Sequence, residues 1–285
     1  RLPGRSLHFP RSPLVMGIVN INDDSFCGDG SLDVTASLSL AREHLLQGAE
    51  VIDVGAESAR TNRQAISCAE EIRRLTPFLT AWPTLLESLE NSRPAGAVWP
   101  PILSVNTWRP EVIAAVLPLG VDLINDISAL PDGTNAALCA AHGASLLIMH
   151  SQGEPKIPHT HIGYSQVLEE LGHFFASRIE AAEKAGLDRD SIVLDPGIDF
   201  AKQRADNLRV CRHLGDLHRF DRPILLPISR KTVIGEVLNL PDPLDRDPGT
   251  LACLAAGMRR GAAIFRVHHV RAAVQAVRML QPLTS

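Results

Sequence analysis

Eight short apolar runs alternate with longer amphipathic segments along the chain, and this alternation narrows the choice of fold. The runs are rich in β-branched residues and predict strands over residues 14–19, 50–54, 102–105, 121–124, 145–149, 191–194, 224–228 and 263–267. Predicted helices cover residues 32–48, 66–80, 110–117, 135–142 and 165–185, and another helix follows each of the last three strands. Strands that alternate with helices form parallel sheets. Eight such units predict a closed (β/α)8 barrel, the TIM-barrel fold.

The length of the chain fits this prediction. The sequence has 285 residues, 45% of them hydrophobic, and a barrel of this kind takes about 250 residues. We therefore expect one barrel domain over residues 1–285. The proline- and glycine-rich residues 93–101 precede the third strand, which places them on the N-terminal face, away from the chemistry.

Charge and cysteine usage exclude several classes of partner. A net charge of −4 gives no general attraction to nucleic acid or to an anionic membrane, and no apolar run is long enough to span a bilayer. Five cysteines without CxxC spacing predict free thiols in a reducing cytoplasm. His159 and His161 lack a third metal ligand and are predicted to be surface residues.

Polar residues stand directly after the predicted strands, where barrels of this kind build their active sites. One group combines amide, carboxylate and ammonium side chains: Asn106, Asn125, Asp195 and Lys231. Such a set suits a flat heterocycle, because a carboxylate pairs in bidentate fashion with neighbouring amino and N–H groups.

A second group is cationic and comprises Arg60, Arg63, Arg266 and His268. A local surplus of positive charge in an acidic chain indicates a phosphorylated or carboxylated ligand. Asn20, after the first strand, could help to hold Mg²⁺ that bridges phosphate oxygens, because this ion prefers oxygen ligands and few protein contacts.

Each polar residue also has a purely structural interpretation. Asp53 could be a polar strand residue that is satisfied inside the barrel, and Asp126 could cap a turn. Glu57 could pair with Arg60. Asp195 could merely begin the turn formed with the proline and glycine that follow it. No single motif decides between these interpretations and a functional one, whereas eight motifs in order favour function.

The order and spacing of these motifs resemble those of the dihydropteroate synthase family, over nearly the whole chain. The matching stretches are MGIVN (16–20), DSF (24–26), IDVGAES (52–58), SVNT (104–107), IND (124–126), MH with QG (149–153), LDPG (194–197), SRK (229–231) and RVH (266–268). The resemblance implies a (β/α)8 transferase that joins hydroxymethyl-dihydropterin diphosphate to p-aminobenzoate and releases pyrophosphate. It also implies Mg²⁺ and a homodimer.

The resemblance further implies a role for individual residues. The pterin would be held by Asn106, Asn125, Met149, Asp195, Phe200 and Lys231. The diphosphate would be held by Arg60, Arg266 and His268, with Asn20 and the metal. Lys231, Arg60 and Asn106 would act at the reacting centre, and Lys231 and Thr232 would lie beside the aminobenzoate. Catalysis would rest on electrostatic stabilisation and positioning, without a side-chain nucleophile.

The chain departs from the family pattern at several positions. Asn106 replaces the usual aspartate of SVDT, and residues 58–62 read SARTN where STRPG is usual. Asp199 replaces a glycine, and His269 replaces an aspartate. Two alternatives therefore stay open, namely a pterin-binding paralogue without the activity and a methyltransferase-like domain that binds methyltetrahydrofolate. The retained SRK and RVH motifs favour a diphosphate substrate over the second alternative.

Overall fold

The computed structural model describes residues 1–9, 12–23, 27–28, 30–58, 64–153, 155–157 and 163–284. Within these residues eight parallel strands form one sheet: β1 Leu14–Asn20, β2 Val51–Gly55, β3 Ile102–Asn106, β4 Leu123–Asp126, β5 Ser145–Met149, β6 Ile192–Asp195, β7 Leu225–Leu226 and β8 Ile264–Val267. The strand order is β6-β5-β4-β3-β2-β1-β8-β7. A parallel bridge between Leu194 of β6 and Ile224, the residue before β7, brings the two ends of this sheet together. The predicted (β/α)8 barrel is therefore confirmed.

Helices surround this barrel: α1 Val34–Leu46, α2 Cys68–Leu89, α3 Pro110–Val116, α4 Thr134–His142, α5 Val167–Lys184, α6 Arg204–Arg212, α7 Thr232–Leu238, α8 Asp247–Met258 and α9 Val270–Thr284. The prediction of a helix after each strand is confirmed, and after β7 a second helix, α8, occurs in addition to α7. The helix predicted over 66–80 extends to Leu89. Among the described helices, none is long and apolar enough to cross a membrane.

The barrel interior is a separate apolar cluster enclosed by the sheet. It includes Leu14, Met16, Val51, Ile102, Leu123, Leu147, Met149, Val193, Leu225 and Ile264. Leu2, Leu7, Phe9 and Val98 pack against this cluster. Burying an aliphatic side chain of this size stabilises the fold by about 1.5–3 kcal/mol.

The segment before β3 lies where the sequence places it, beside the start of the strands. The backbone N–H of Val98 donates to Glu50, the residue before β2, at 3.0 Å. Arg5 donates to the carbonyl of Pro101, the residue before β3, at 3.3 Å. This end of the barrel is thus closed by the N-terminal residues and the segment, which leaves the opposite end for a site.

Candidate active site

Alternate residues of a strand point to the same face, so the residues two positions after the apolar interior form the next layer of the barrel. The interior residues Val51, Ile102, Leu123 and Ile264 are followed in this way by Asp53, Ser104, Asn125 and Arg266. The layer near the C-terminal ends of these strands is therefore polar, as a binding site requires.

Asp53 is the centre of this polar layer and is fully buried. Its Oδ1 accepts a hydrogen bond from Ser104 Oγ at 2.6 Å, and its Oδ2 accepts from Asn125 Nδ2 at 3.0 Å and from Arg266 Nε at 2.7 Å. A buried charge is tolerated when it is paired and hydrogen-bonded. Asp53 thus fits the structural interpretation, and it orients Asn125 and Arg266, two of the predicted binding residues.

Asp195 ends β6 and is buried at the same end of the barrel. Its Oδ1 accepts the backbone N–H of Gly197 at 2.7 Å, so it does begin the turn that follows. Burial raises the pKa of Asp195 to about 6, against the opposing effects of this hydrogen bond and of the charges of Lys231, Lys202 and Arg266. The second carboxyl oxygen can pair with another set of donors.

Lys202 lies in the loop after β6 and is buried. Its Nζ is 2.7 Å from Nδ1 of His150, and it donates to the carbonyls of Gly197 at 3.0 Å and Phe200 at 3.2 Å. Burial and the charge of Lys202 lower the pKa of His150, so the neutral imidazole accepts this hydrogen bond. Lys202 thereby fastens the loop that carries Phe200 to the end of β5.

Lys231 precedes α7 and projects toward this loop. Its Nζ lies 4.6 Å from the centre of the Phe200 ring, a cation–π contact. Burial lowers the pKa of Lys231, and the charges of Asp199 and Asp195 oppose that effect. Lys231, Phe200 and Asp195 therefore form one wall with a cation, an aromatic ring and a carboxylate.

The remaining predicted residues lie at the ends of other strands. Met149 ends β5 and pairs in register with Asp195 of β6, and it belongs to the interior cluster. Asn106 ends β3 and is half-buried beside Gly55, where an added Cβ would lie 3.4 Å from that of Asn106. Asn20 ends β1 opposite Gly55. All three therefore lie at the C-terminal end of the barrel.

The cationic group is only partly described. Arg60, Arg63 and the pair His159 and His161 lie outside the described residues. His268 follows β8, and its Nδ1 lies 2.9 Å from Ser229 Oγ, the first residue of the SRK motif. The structure thus brings the SRK and RVH motifs together.

Two acidic residues near the site are engaged in structural contacts. Glu57 forms ion pairs with Arg109 at 2.6 Å and Lys156 at 3.2 Å, which the sequence did not predict. Asp126 accepts hydrogen bonds from the Ser128 backbone at 2.7 Å and from another side chain of the following helix, so its predicted turn-capping role is confirmed.

Sequence analysis missed the roles of Lys202 and Arg109. Lys202 stands seven positions after Asp195 in a loop, and its partner His150 belongs to a different motif. Arg109 directly precedes α3 and belongs to none of the motifs. A buried lysine can be recognised from sequence only when its partner is known, and no spacing rule links Lys202 to His150.

Comparisons with known proteins agree with this geometry. The family described as pterin binding enzyme matches residues 16–268. Dihydropteroate synthase of Escherichia coli strain K12 is 34% identical over 274 residues, covering 96% of this chain and 92% of that protein. A structure of the Yersinia pestis dihydropteroate synthase with a sulfonamide drug has a TM-score of 0.89 and 33% identity, covering 99% of this chain and 98% of that one.

A structure of the Burkholderia cenocepacia dihydropteroate synthase complexed with 7,8-dihydropteroate has a TM-score of 0.85 and 31% identity, and the match covers 99% of this chain and 95% of that one. The fold, the wall formed by Asp195, Phe200 and Lys231, and the family match define a pterin-binding barrel enzyme. Within that class, the chain belongs to the dihydropteroate synthase family, whose members are transferases.

Proposed function

We propose that this chain condenses 6-hydroxymethyl-7,8-dihydropterin diphosphate with p-aminobenzoate, forming 7,8-dihydropteroate and releasing pyrophosphate for folate biosynthesis. The observation that carries the proposal is the buried carboxyl group of Asp195 on the same wall as the Lys231–Phe200 contact. It is supported by the Burkholderia relative, whose bound 7,8-dihydropteroate is the product of this reaction.

The pterin is proposed to lie against the wall formed by Asp195, Phe200 and Lys231. The free carboxylate oxygen of Asp195 would accept from the pterin amino group and ring N–H, while Asn125, held by Asp53, offers an amide. Met149 supplies an apolar floor, and Asn106 faces the ring from β3. Preset donors and acceptors of this kind need no rearrangement when the pterin binds.

The diphosphate is proposed to lie near Arg266 and His268, with Arg60 from the loop after β2. The Arg266 side chain is 23% exposed although it is paired with Asp53, so its guanidinium keeps N–H groups available at the barrel mouth. Cations here would stabilise the charge that grows on the departing pyrophosphate.

Mg²⁺ is proposed to bind at Asn20 together with the diphosphate. In the described part of the chain, no three His, Cys, Asp or Glu side chains group together as a metal site. The amide oxygen of Asn20 fits Mg²⁺, which would take one ligand from the protein and its others from phosphates and water. When bound, the ion would neutralise phosphate charge.

In the proposed reaction the C–O bond between the pterin methylene and the diphosphate breaks, and pyrophosphate leaves with its electrons. The amine nitrogen of p-aminobenzoate forms the new C–N bond to that carbon and loses a proton to solvent. Lys231, Arg60 and Asn106 act by position and charge at this centre, and the barrel holds the two substrates in line.

We also propose a homodimer in the cytoplasm. The apolar side chains of Val237, Leu238 and Leu244 are exposed on α7 and the turn after it, and an interface between two copies would remove them from water. The cysteines are free, as a reducing compartment maintains them. Sedimentation at micromolar concentration tests the dimer.

The activity is tested by incubating the protein with pterin diphosphate, p-aminobenzoate and Mg²⁺. We expect equal amounts of dihydropteroate and pyrophosphate, and loss of turnover when the metal is chelated. Calorimetric binding of the pterin diphosphate without turnover would instead identify a pterin-binding paralogue without the activity. Asn106, which replaces the usual aspartate of the family, is the reason to test this alternative. A protein that binds no pterin would overturn the proposal altogether.

The phosphate assignment predicts a selective effect of Arg266→Ala. We expect the variant to bind the pterin diphosphate at least about tenfold more weakly, because a hydrogen bond to a charged group contributes about 1.5–3 kcal/mol. Binding of bare 6-hydroxymethylpterin should change much less, since it carries no phosphate. Arg266→Lys is the control, because it keeps a cation beside Asp53. Equal weakening of both ligands would move Arg266 away from the phosphates.

A further inference from the structure

Asp199 occupies a position that calls for an explanation. It follows the turn after β6 and has a φ of 65°, in the left-handed region. This region costs an L-residue roughly 1–2 kcal/mol, and glycine adopts it at no such cost. The side chain must therefore supply contacts that compensate for the backbone conformation.

The contacts of the Asp199 carboxylate join three elements. One oxygen accepts the backbone N–H of Thr232, the first residue of α7, and the other accepts that of Val233 at 3.3 Å. On α6, Asn207 donates its Nδ2 to Asp199 at 3.0 Å and accepts the Asp199 backbone N–H at 2.9 Å. The loop after β6 is thus tied to the starts of two helices.

The residues next to Asp199 and Thr232 in the chain belong to the proposed pterin wall, which is formed by Asp195, Phe200 and Lys231. Phe200 is the next residue after Asp199, and Lys231 directly precedes Thr232. The Lys231 ammonium lies 4.6 Å from the Phe200 ring centre, so one carboxylate holds the backbone on both sides of that contact. Lys231 makes no side-chain cap for α7, and Asp199 does so in its place.

We propose that Asp199 is a positioning residue, which fixes the Lys231 ammonium in the pterin wall by binding the first two amides of α7. The proposal rests on the proposed function for the identity of the ligand. The Asp199 carboxylate is occupied by Asn207 and by the first amides of α7, so it acts through Lys231 and Phe200.

Charge gives the same contact a second effect. Burial and the charge of Arg266 lower the pKa of Lys231, whereas the charges of Asp199 and Asp195 raise it. Without the charge of Asp199, the ammonium loses its proton at a lower pH. Because the proposed pterin pocket uses the protonated ammonium of Lys231, the fall in pterin affinity at alkaline pH should move to lower pH.

Two variants test the proposal by calorimetry with 6-hydroxymethylpterin and its diphosphate. Asp199→Gly removes all side-chain contacts but relaxes the backbone, and Asp199→Asn keeps an acceptor without the charge. We expect about five- to tenfold weaker binding in the glycine variant, the scale of one ordinary hydrogen bond, because Asp199 acts on the ligand indirectly. In both variants, the alkaline fall in affinity should move to lower pH.

Glu236→Gln is the matched control, since it removes one negative charge from an exposed position on the same helix. It should leave the affinity and its pH dependence unchanged. A parent that binds no pterin refutes the proposed function. A parent that binds, with Asp199 variants within twofold at every pH, refutes the role of Asp199, as does a uniform loss without a pH shift. If the glycine variant does not fold, the asparagine variant decides alone.

Discussion

Asp195→Asn is expected to weaken pterin binding more than tenfold, which is one of the two largest effects that the site predicts. The carboxylate is buried, and one oxygen is already used by the Gly197 amide. An asparagine would present a donor where the pterin amino group and ring N–H require an acceptor. A charge-assisted hydrogen bond contributes about 1.5–3 kcal/mol, enough for such a loss. Calorimetry or quenching of pterin fluorescence measures it.

The pH dependence of pterin affinity provides an independent check on Asp195. Because burial raises its pKa to about 6, the carboxyl becomes protonated in the free protein as the pH falls through that value. A protonated carboxyl is a weaker acceptor, so affinity should fall below about pH 6 in the parent and stay flat in Asp195→Asn. Asp216→Asn, at an exposed carboxylate, is the control. Binding of the Asp195 variant within twofold of the parent would show that the pterin pocket is elsewhere.

Asn106→Asp is expected to raise kcat at least tenfold with little change in KM. In the family pattern an acid at this position faces the pterin as positive charge develops during pyrophosphate departure. A fixed carboxylate there stabilises the transition state more than the ground state, and one such group is worth about 10²–10³ in rate. Asn106 lies at the end of β3, in register with Asn125 and Gly55, so neither of its register partners supplies an acid in its place.

Steady-state assays of the parent, Asn106→Asp and Asn106→Ala distinguish an active synthase from a paralogue without the activity. Asn106→Ala serves as the control, because it removes the amide without adding charge and should not raise kcat. An Asn106→Asp variant that is still inactive but binds pterin well would favour the paralogue without the activity, with residues 58–62 as the next positions to change. A variant slower than an active parent would show that the pocket is built around the amide.

Comparison of the predicted and observed strands shows what periodicity can and cannot locate. β5 was predicted with its observed bounds, because a buried strand between two clear turns is a simple apolar run. The β7 strand covers only Leu225–Leu226, with an isolated bridge at Ile224, although residues 224–228 were predicted. Pro223 and Pro227 flank it, and proline has no N–H to give to a strand ladder.

β4 shows the opposite error. The prediction ended the strand at residue 124, before the polar residues, whereas the strand runs over Leu123–Asp126. Polar residues at the mouth of a barrel can be part of a strand when the layer they join is itself polar, as Asn125 joins Asp53. Hydropathy along one strand cannot show this, because the partner lies on another strand.

The sequence was sufficient for the number of strand–helix units, for the end of the barrel that carries the polar residues, and for the family. These properties are local, since strand periodicity and motifs after strands are written in consecutive residues. The partners of the site were settled by closure of the barrel. Arg266 meets Asp53 across 213 positions of sequence, and Lys202 meets His150 across 52. Arg266 reaches Asp53 because β8 pairs with β1 beside β2, and Lys202 reaches His150 because β5 pairs with β6. Burial then leaves each charge only the partners that the closed barrel brings within hydrogen-bonding distance.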